Sequence, residues 1–294
     1  MFTPLLWLTQ AILLQENPAE ITVHRFAEEG MASVNTYWVE TTDQVLVVDV
    51  QRTTPAAQKA IARVKAAGKP VTAIFISHAH PDHVGGLNAF HTAFPEAKIY
   101  ATAKTIAFLR EDTYGYLALS REILGDLVPA ELHLPGQRVR DGQQMSFGAL
   151  KVEVKVLGPN EFEELTVLSI SAANRTHLFV SDLINHQMTP FLLDADLDNW
   201  LAELDLVKQW QADVVHPGHG PGADPETLIT YQREYLNWIM DLVRPYEELE
   251  TLKQDLPKLV QQIKTRYGDV PVAEIPNLSA LNLEAVFKYL AAKR

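Results

Sequence analysis

The residues Ser77-His78-Ala79-His80-Pro81-Asp82-His83-Val84-Gly85-Gly86 set three histidines and an aspartate within six positions, directly after the apolar run Val71-Thr72-Ala73-Ile74-Phe75-Ile76. Neutral imidazole and carboxylate are the donors of hydrolytic Zn²⁺ sites, and they also suit Fe or Mn. The apolar run predicts a buried strand, so the cluster falls on the loop where that strand ends. In an α/β sheet that is where ligands bind. Alternate side chains of an extended segment point the same way, so His78 and His80 can converge on one ion. Pro81 then fixes and turns the backbone, and Asp82 and His83 can face a second ion beside the first. Gly85-Gly86 lets the chain pass close to the site before a helix expected near Val84 to Phe94. The plain alternative is a polar loop of solvated histidines, and the density of the cluster argues against it.

The segment resembles the first metal-binding motif of the metallo-β-lactamase fold superfamily, His-x-His-x-Asp-His followed by Gly-Gly. The resemblance implies an α/β chain folded as a four-layer αβ/βα sandwich. It also implies one or two metal ions at the rim and, in most members, hydrolase activity.

Composition narrows the function classes. The 294 residues are 47% hydrophobic, ample for a sizeable core in one main body. A formal net charge of -12 with no long basic run weighs against a nucleic-acid backbone as substrate, because phosphate binding needs clustered Lys and Arg. The absence of cysteine removes any disulfide or thiolate ligand. Phe2 to Leu14 is apolar but too short to span a bilayer. It is read as the apolar part of an export signal, a docking helix on the core or a membrane-lying segment. No Lys or Arg precedes it, so the lean to a periplasmic or secreted protein is slight.

Upstream of the cluster, Ile21 to Phe26, Val34 to Glu40 and Val45 to Val50 read as strands. Asn35-Thr36-Tyr37 and Val48-Asp49 resemble the superfamily's early signatures. Asp49, at a strand end, suits support of a ligand loop or a plain turn cap. Pro55 to Ala67 reads as a helix with Thr54 as N-cap and Gly68 as its stop. Downstream, a strand over Ala97 to Ala101 and a helix over Thr102 to Arg110 precede an irregular stretch, Glu111 to Pro135. There superfamily members place a substrate-covering insertion, and its Tyr114, Tyr116, Leu117, Leu119, Ile123 and Leu124 suit an aromatic-lined lid or ordinary core packing.

Met145 to Phe147 and Lys151 to Leu157 form an expected hairpin, and Leu165 to Ile170 a following strand. The loop between them, Gly158-Pro159-Asn160-Glu161-Phe162-Glu163-Glu164, stands where the superfamily has Pro-Gly-His-Thr, whose histidine completes the first metal site. Counting back from the strand puts Glu161 in that histidine's place. A carboxylate there can ligate directly at about 2.0–2.2 Å, with a shift towards harder metals. Otherwise it is solvated and the first site is weak or empty. Leu178-Phe179-Val180-Ser181-Asp182 closes a strand beginning at Thr176 and resembles the family's Leu-Phe-x-Gly-Asp, whose aspartate bridges both metals. His186, in the next loop, reads as solvated or as a substrate contact. Leu197 to Trp210 carries helical apolar spacing, and His216-Pro217-Gly218-His219-Gly220 resembles the closing Pro-Gly-His-Gly motif, making His219 a ligand and leaving His216 a structural hydrogen bond.

From Pro225 onwards the pattern is helical: Thr227 to Arg244, Tyr246 to Tyr267 and Leu278 to Ala292, with Pro245 and Pro257 expected to break or kink it. Glyoxalase II enzymes also carry a helical C-terminal extension that helps bind substrate, but no motif is matched here, and a packing or dimer-forming appendage is the default. The expected organisation is thus an N-terminal apolar segment (1–20), a metallo-β-lactamase-fold domain (21–222) and a helical extension (223–294).

The resemblance implies a binuclear hydrolase acting on an ester, lactone, thioester or amide of a small molecule. His78, His80 and Glu161 would hold one ion, Asp82, His83 and His219 the other, and Asp182 both. The ions would be Zn²⁺, with Fe or Mn as alternatives. Asp82 is also the catalytic candidate, as a proton shuttle to the leaving group. The rival readings are an iron-dependent oxidoreductase like the persulfide dioxygenases of the same fold, and a non-catalytic module whose first site is impaired by Glu161.

Overall fold

The structure is a computed structural model that describes residues 21–29, 33–172, 175–268, 270–273 and 275–294. The apolar segment 2–14, with its export or docking readings, lies outside the described residues.

Two sheets face each other. The first runs in the order β1 (Thr22–Phe26), β2 (Thr36–Glu40), β3 (Val45–Val48), β4 (Val71–Phe75), β5 (Lys98–Thr102) and β6 (Gln137–Val139). It opens as an antiparallel meander and turns parallel from β3 onwards. The second holds β7 (Gln144–Phe147), β8 (Leu150–Leu157), β9 (Leu165–Ala172) and β10 (Arg175–Asn185) as antiparallel neighbours, with β11 (Val214–His219) parallel to β10.

Strand alternation sorts the apolar side chains into layers. Leu46, Val48, Ala73 and Phe75 point between the sheets and meet Val152, Val154, Leu168, Ile170 and Phe179 of the second sheet. Their neighbours Val45, Val47, Ile74 and Ile76 point outwards, onto α1 (Thr54–Lys65), α3 (Leu87–Ala93) and α4 (Ala103–Glu111). A strand buried on both faces needs a continuous apolar run, which is why β3 and β4 read as they do. On the far side, Val167, Leu178 and Val180 pack on α6 (Leu197–Gln209), α7 (Pro225–Val243), α8 (Leu249–Tyr267) and α9 (Leu278–Ala291). The result is the four-layer αβ/βα sandwich, with the C-terminal helices sharing the buried cluster of its last layer.

Several local expectations shift. The helix of the motif begins at Pro81, not near Val84: α2 (Pro81–Val84) is one short turn, and α3 starts after the glycines. A Cβ on Gly85 would lie 1.7 Å from the Arg52 carbonyl oxygen, and one on Gly86 1.9 Å from that of Val50. Backbone crowding, not conformational freedom, therefore requires both glycines. The N-cap of α1 is Thr53, whose hydroxyl accepts from the Ala56 amide, one residue before the expected Thr54. The stretch Glu111 to Pro135 is not irregular throughout. It holds α5 (Tyr116–Leu124), whose first-turn amides at Leu117 and Ala118 are satisfied by the Asp112 carboxylate.

Strand β10 runs past Val180 to Asn185, carrying Asp182 within it. Helix α8 continues through Pro257 without a break. That proline is exposed, so the carbonyl it leaves without a donor faces water. Pro245 does fall in the gap between α7 and α8.

Candidate metal centre

The strand ends nearest the rim deliver the polar side chains. His78 and His80 follow β4, Asp82 and His83 sit on α2, Glu161 lies in the β8–β9 loop, Asp182 is on β10 and His219 ends β11. All seven are buried. They form two groups whose donor atoms lie within 4.8 Å of one another: His78, His80, Glu161 and Asp182, and Asp82, His83, Asp182 and His219. Asp182 is common to both. Its Oδ2 is 3.9 Å from His78 Nε2 and 3.3 Å from His219 Nε2, and its Oδ1 is 3.2 Å from His83 Nε2. Asp82 Oδ2 is 3.1 Å from His219 Nε2, and Glu161 Oε2 is 3.8 Å from His80 Nδ1.

The far side of these imidazoles is tied down. Asp49, in a left-handed conformation just past β3, accepts from the Ser77 amide (2.9 Å) and hydroxyl (2.8 Å), and its Oδ2 lies 2.8 Å from His83 Nδ1. That contact turns His83 Nε2 towards the centre. His219 Nδ1 lies 2.9 Å from the Ser33 carbonyl, which orients it in the same way. Asp49 thus supports the ligand loop; it is more than a turn cap.

Ser181 occupies the position of the superfamily's glycine and adopts the left-handed φ of 46°. Its hydroxyl donates to Ser77 Oγ at 2.8 Å, joining β10 to the motif loop. Gly218 is needed for space: a Cβ there would lie 2.1 Å from Asp182 Oδ1.

The Glu161 loop is held from beneath by Glu203 of α6, whose carboxylate accepts from the Gly158 amide (2.7 Å) and the Asn160 side chain (2.7 Å). Sequence reading passed over Glu203 although it lies on the apolar face of α6 with Trp200 and Val207, which is the signal for a buried carboxylate with work to do. Ser77 was passed over as well. His186 is buried, not solvated; its Nδ1 lies 2.7 Å from the Pro221 carbonyl. His216 lies 3.0 Å from His177 and stacks on Phe179.

Electrostatics distinguish the two halves. Burial pulls His78 and His80 below the ordinary histidine range, so both are neutral donors. Burial also works against charge on His83 and His219, but the carboxylates of Asp182 and Asp82 overcome it, raising His83 well above its usual range and His219 to about 9. Asp182 is held well below the carboxylate range by the same pair of histidines, against the effect of its burial. Burial, then the neighbouring Asp182 and Asp82 charges, push Glu161 well above it.

The donor set fits divalent cations. The Nε2 atoms of His78, His80, His83 and His219 are buried and make no hydrogen bond, and both Glu161 oxygens are buried without a donor. Buried polar atoms left so are costly. A cation in each group would satisfy them, and its charge would answer the crowding of Asp82, Glu161 and Asp182.

Beside the donors opens a pocket with about 480 Å³ of space, part of it open to solvent, into which His80, Asp82, Glu161 and Asp182 face. No helix among the described residues is long and apolar enough to cross a membrane.

Comparison with known proteins agrees with this architecture. A model of the metallo-beta-lactamase superfamily matches residues 30–219. Among curated proteins, the uncharacterized protein YobT of Bacillus subtilis is 37% identical over 81 residues, 27% of this chain and 34% of that protein. A protein of Streptococcus pyogenes serotype M6 described as a "Probable metallo-hydrolase" is 30% identical over 79 residues, 27% of this chain and 33% of its own. The chain thus spans about a third of the length of the curated relatives it matches. Of the solved structures, a metallo-beta-lactamase from Pontibacter korlensis superposes with a TM-score of 0.56 over 74% of this chain and 99% of its own, at 18% identity. TMB-1 gives 0.54 over 74% and 96%, at 16% identity.

Proposed function

This chain belongs to the metallo-beta-lactamase superfamily, and on that premise we propose that it is a hydrolase with two divalent cations, acting on the carbonyl of a small molecule. His78, His80 and Glu161 would hold the first cation, Asp82, His83 and His219 the second, and Asp182 would serve both. The observation that carries this reading is the position of Asp182 in both donor groups, among buried imidazole nitrogens that make no hydrogen bond. Bound in pairs, Zn²⁺ or its harder relatives lower the pKa of water towards neutrality and polarise a carbonyl.

The residues do the remainder. Asp82 faces the pocket and is held ionised by His83 and His219, although burial opposes its charge. In this reading its carboxylate would take a proton from the nucleophilic water and pass it to the leaving group. Phe162 and Phe191, with ring centroids 4.6 and 5.3 Å from that of His80, pack apolar surface against the first group. Glu161 adds negative charge where the superfamily pattern has a neutral imidazole, which favours Mn²⁺ or Fe²⁺ over Zn²⁺ at that position.

A second reading follows from the same residue. Two histidines and a carboxylate, here His78, His80 and Glu161, are also a donor set for ferrous iron in oxygenases, so an iron-dependent oxidoreductase is the alternative. The burial of Glu161 inside its group weighs against a module with an impaired first site.

The test is elemental analysis beside turnover of chromogenic lactam, lactone, thioester and ester substrates. Two cations per chain and a hydrolysis lost to chelation and restored by metal are expected. Iron with O₂ uptake and no hydrolysis selects the second reading, and a chain that retains no cation under any loading overturns both.

A further inference from the structure

Resting on that hydrolytic reading, we infer that the pocket beside the metal centre is a chamber for an uncharged apolar chain attached to the scissile carbonyl. Its far wall is built by a strap of the C-terminal segment that contributes Val272, Ala273 and Ile275. The strap leaves α8 and pairs with the loop after β10: the Thr189 amide donates to the Val270 carbonyl (2.8 Å) and the Val272 amide to the Thr189 carbonyl (3.0 Å). This pairing brings Val272 against Phe191 and Met188, and with Leu278 they form a small apolar core of their own, separate from the three apolar clusters between the layers of the sandwich. Tyr116, Ala273 and Ile275 pack on it.

The opposite wall is α5. Tyr116, Leu119, Ser120 and Ile123 face the pocket along one side of that helix. Leu119 and Ile123 remain 40% and 43% exposed. Exposed aliphatics in a row are uninformative when scattered, but here they are continuous with a cavity that ends at His80, Asp82 and Glu161. Away from the donor cluster and Arg52, which lies beside Pro81 and Asp82, no charged side chain lines the chamber among the described residues. A substrate tail bearing carboxylate, phosphate or ammonium meets no charged side chain there among the described residues. An alkyl or aryl chain finds Phe191, Val272 and Ile275 on one side and Leu119 and Ile123 on the other.

The experiment uses the metal-loaded full chain with 4-nitrophenyl esters from acetate to decanoate, beside the uncharged fluorescent probe N-phenyl-1-naphthylamine. Each added methylene that enters the chamber should raise kcat/KM by roughly two- to fourfold until the chamber is full. Ile123→Glu, at an exposed position where folding is not at risk, and Ile275→Glu should each flatten that slope and weaken probe binding by about tenfold or more. Leu206→Glu, on the exposed face of α6 away from the pocket, should leave both unchanged. A flat chain-length series with intact ester turnover, or a slope indifferent to Ile123→Glu and Ile275→Glu, overturns the chamber while leaving the hydrolase standing. Probe binding lost in those two variants, with no ester turned over at any length, retains the chamber and removes the hydrolase.

Discussion

The carboxylate of Asp49 lies 2.8 Å from His83 Nδ1, and both side chains are buried. The contact fixes which ring nitrogen of His83 is free, and so points it at Asp82 and Asp182. Partners of this kind typically account for 10–100-fold in metal affinity or activity. Asp49→Ala should therefore weaken the second cation by about that factor while the first group keeps its own. Competition with a chromogenic chelator measures it, and equal affinity in variant and parent would show that His83 needs no such support.

Glu161 should show opposite effects with and without metal. Its pKa is raised by burial and by Asp182 and Asp82. In the metal-free chain this group contributes stability below the unfolded carboxylate pKa, and the contribution is lost as pH rises through its raised folded value. Glu161→Gln should thus raise the melting temperature of the metal-free protein by a few degrees near neutral pH, while lowering cation content and turnover. Glu161→Ala should likewise lose cation and turnover, and Glu161→His, which restores the superfamily pattern, should keep two cations. Undiminished cation content in both Gln and Ala variants would remove Glu161 from the donor set.

Cation binding should release protons. His83 is raised well above its usual range, and His219 to about 9 by Asp182 and Asp82 against the pull of burial. Without metal, the stability that His219 contributes is present below the ordinary histidine pKa and is lost as pH rises through about 9. Protons and cations compete for the same nitrogens, so affinity at the second group should climb from pH 6.5 towards about 9 and then level. Calorimetric titration in buffers of different ionisation enthalpy counts the protons, and buffer-independent enthalpies near pH 7.5 would contradict the assignment.

Ser181 holds a left-handed φ of 46° that costs a residue with a Cβ about 1 kcal/mol relative to glycine. It also donates to Ser77 Oγ, a bond worth a similar amount. Ser181→Gly should be nearly neutral in denaturant unfolding, within about 1 kcal/mol, whereas Ser181→Ala keeps the strain, loses the bond and should destabilise by about 1–2 kcal/mol. If Ala and Gly behaved alike, backbone strain at this position would not matter.

Much of the arrangement was legible in the sequence, for local reasons. The alternation that brings His78 and His80 to one side, and the apolar run of β4 before them, act over a few residues and leave a dense pattern. Asp182 and His219 were legible because each follows an apolar strand run and chain order places them after the motif, although β10 in fact continues past Asp182 to Asn185. What escaped reading depends on distance or on register. Helix α5 is hard to read in the sequence because Leu119 and Ile123 line the pocket and stay partly exposed, so apolar spacing there does not mark a core. The pairing of Thr189 with the strap joins segments some eighty residues apart through backbone groups, which leave no signature in side-chain type. The N-cap of α1 fell one residue early because Thr53 and Thr54 offer the same hydroxyl.

The central claim is that two cations share Asp182, and anomalous diffraction at the metal edge from crystals of the loaded protein tests it most directly. Two peaks are predicted, one within coordination distance of His78, His80, Glu161 and Asp182, and one of Asp82, His83, Asp182 and His219. A single peak that leaves Asp182 without contact, or peaks away from these side chains, would contradict it.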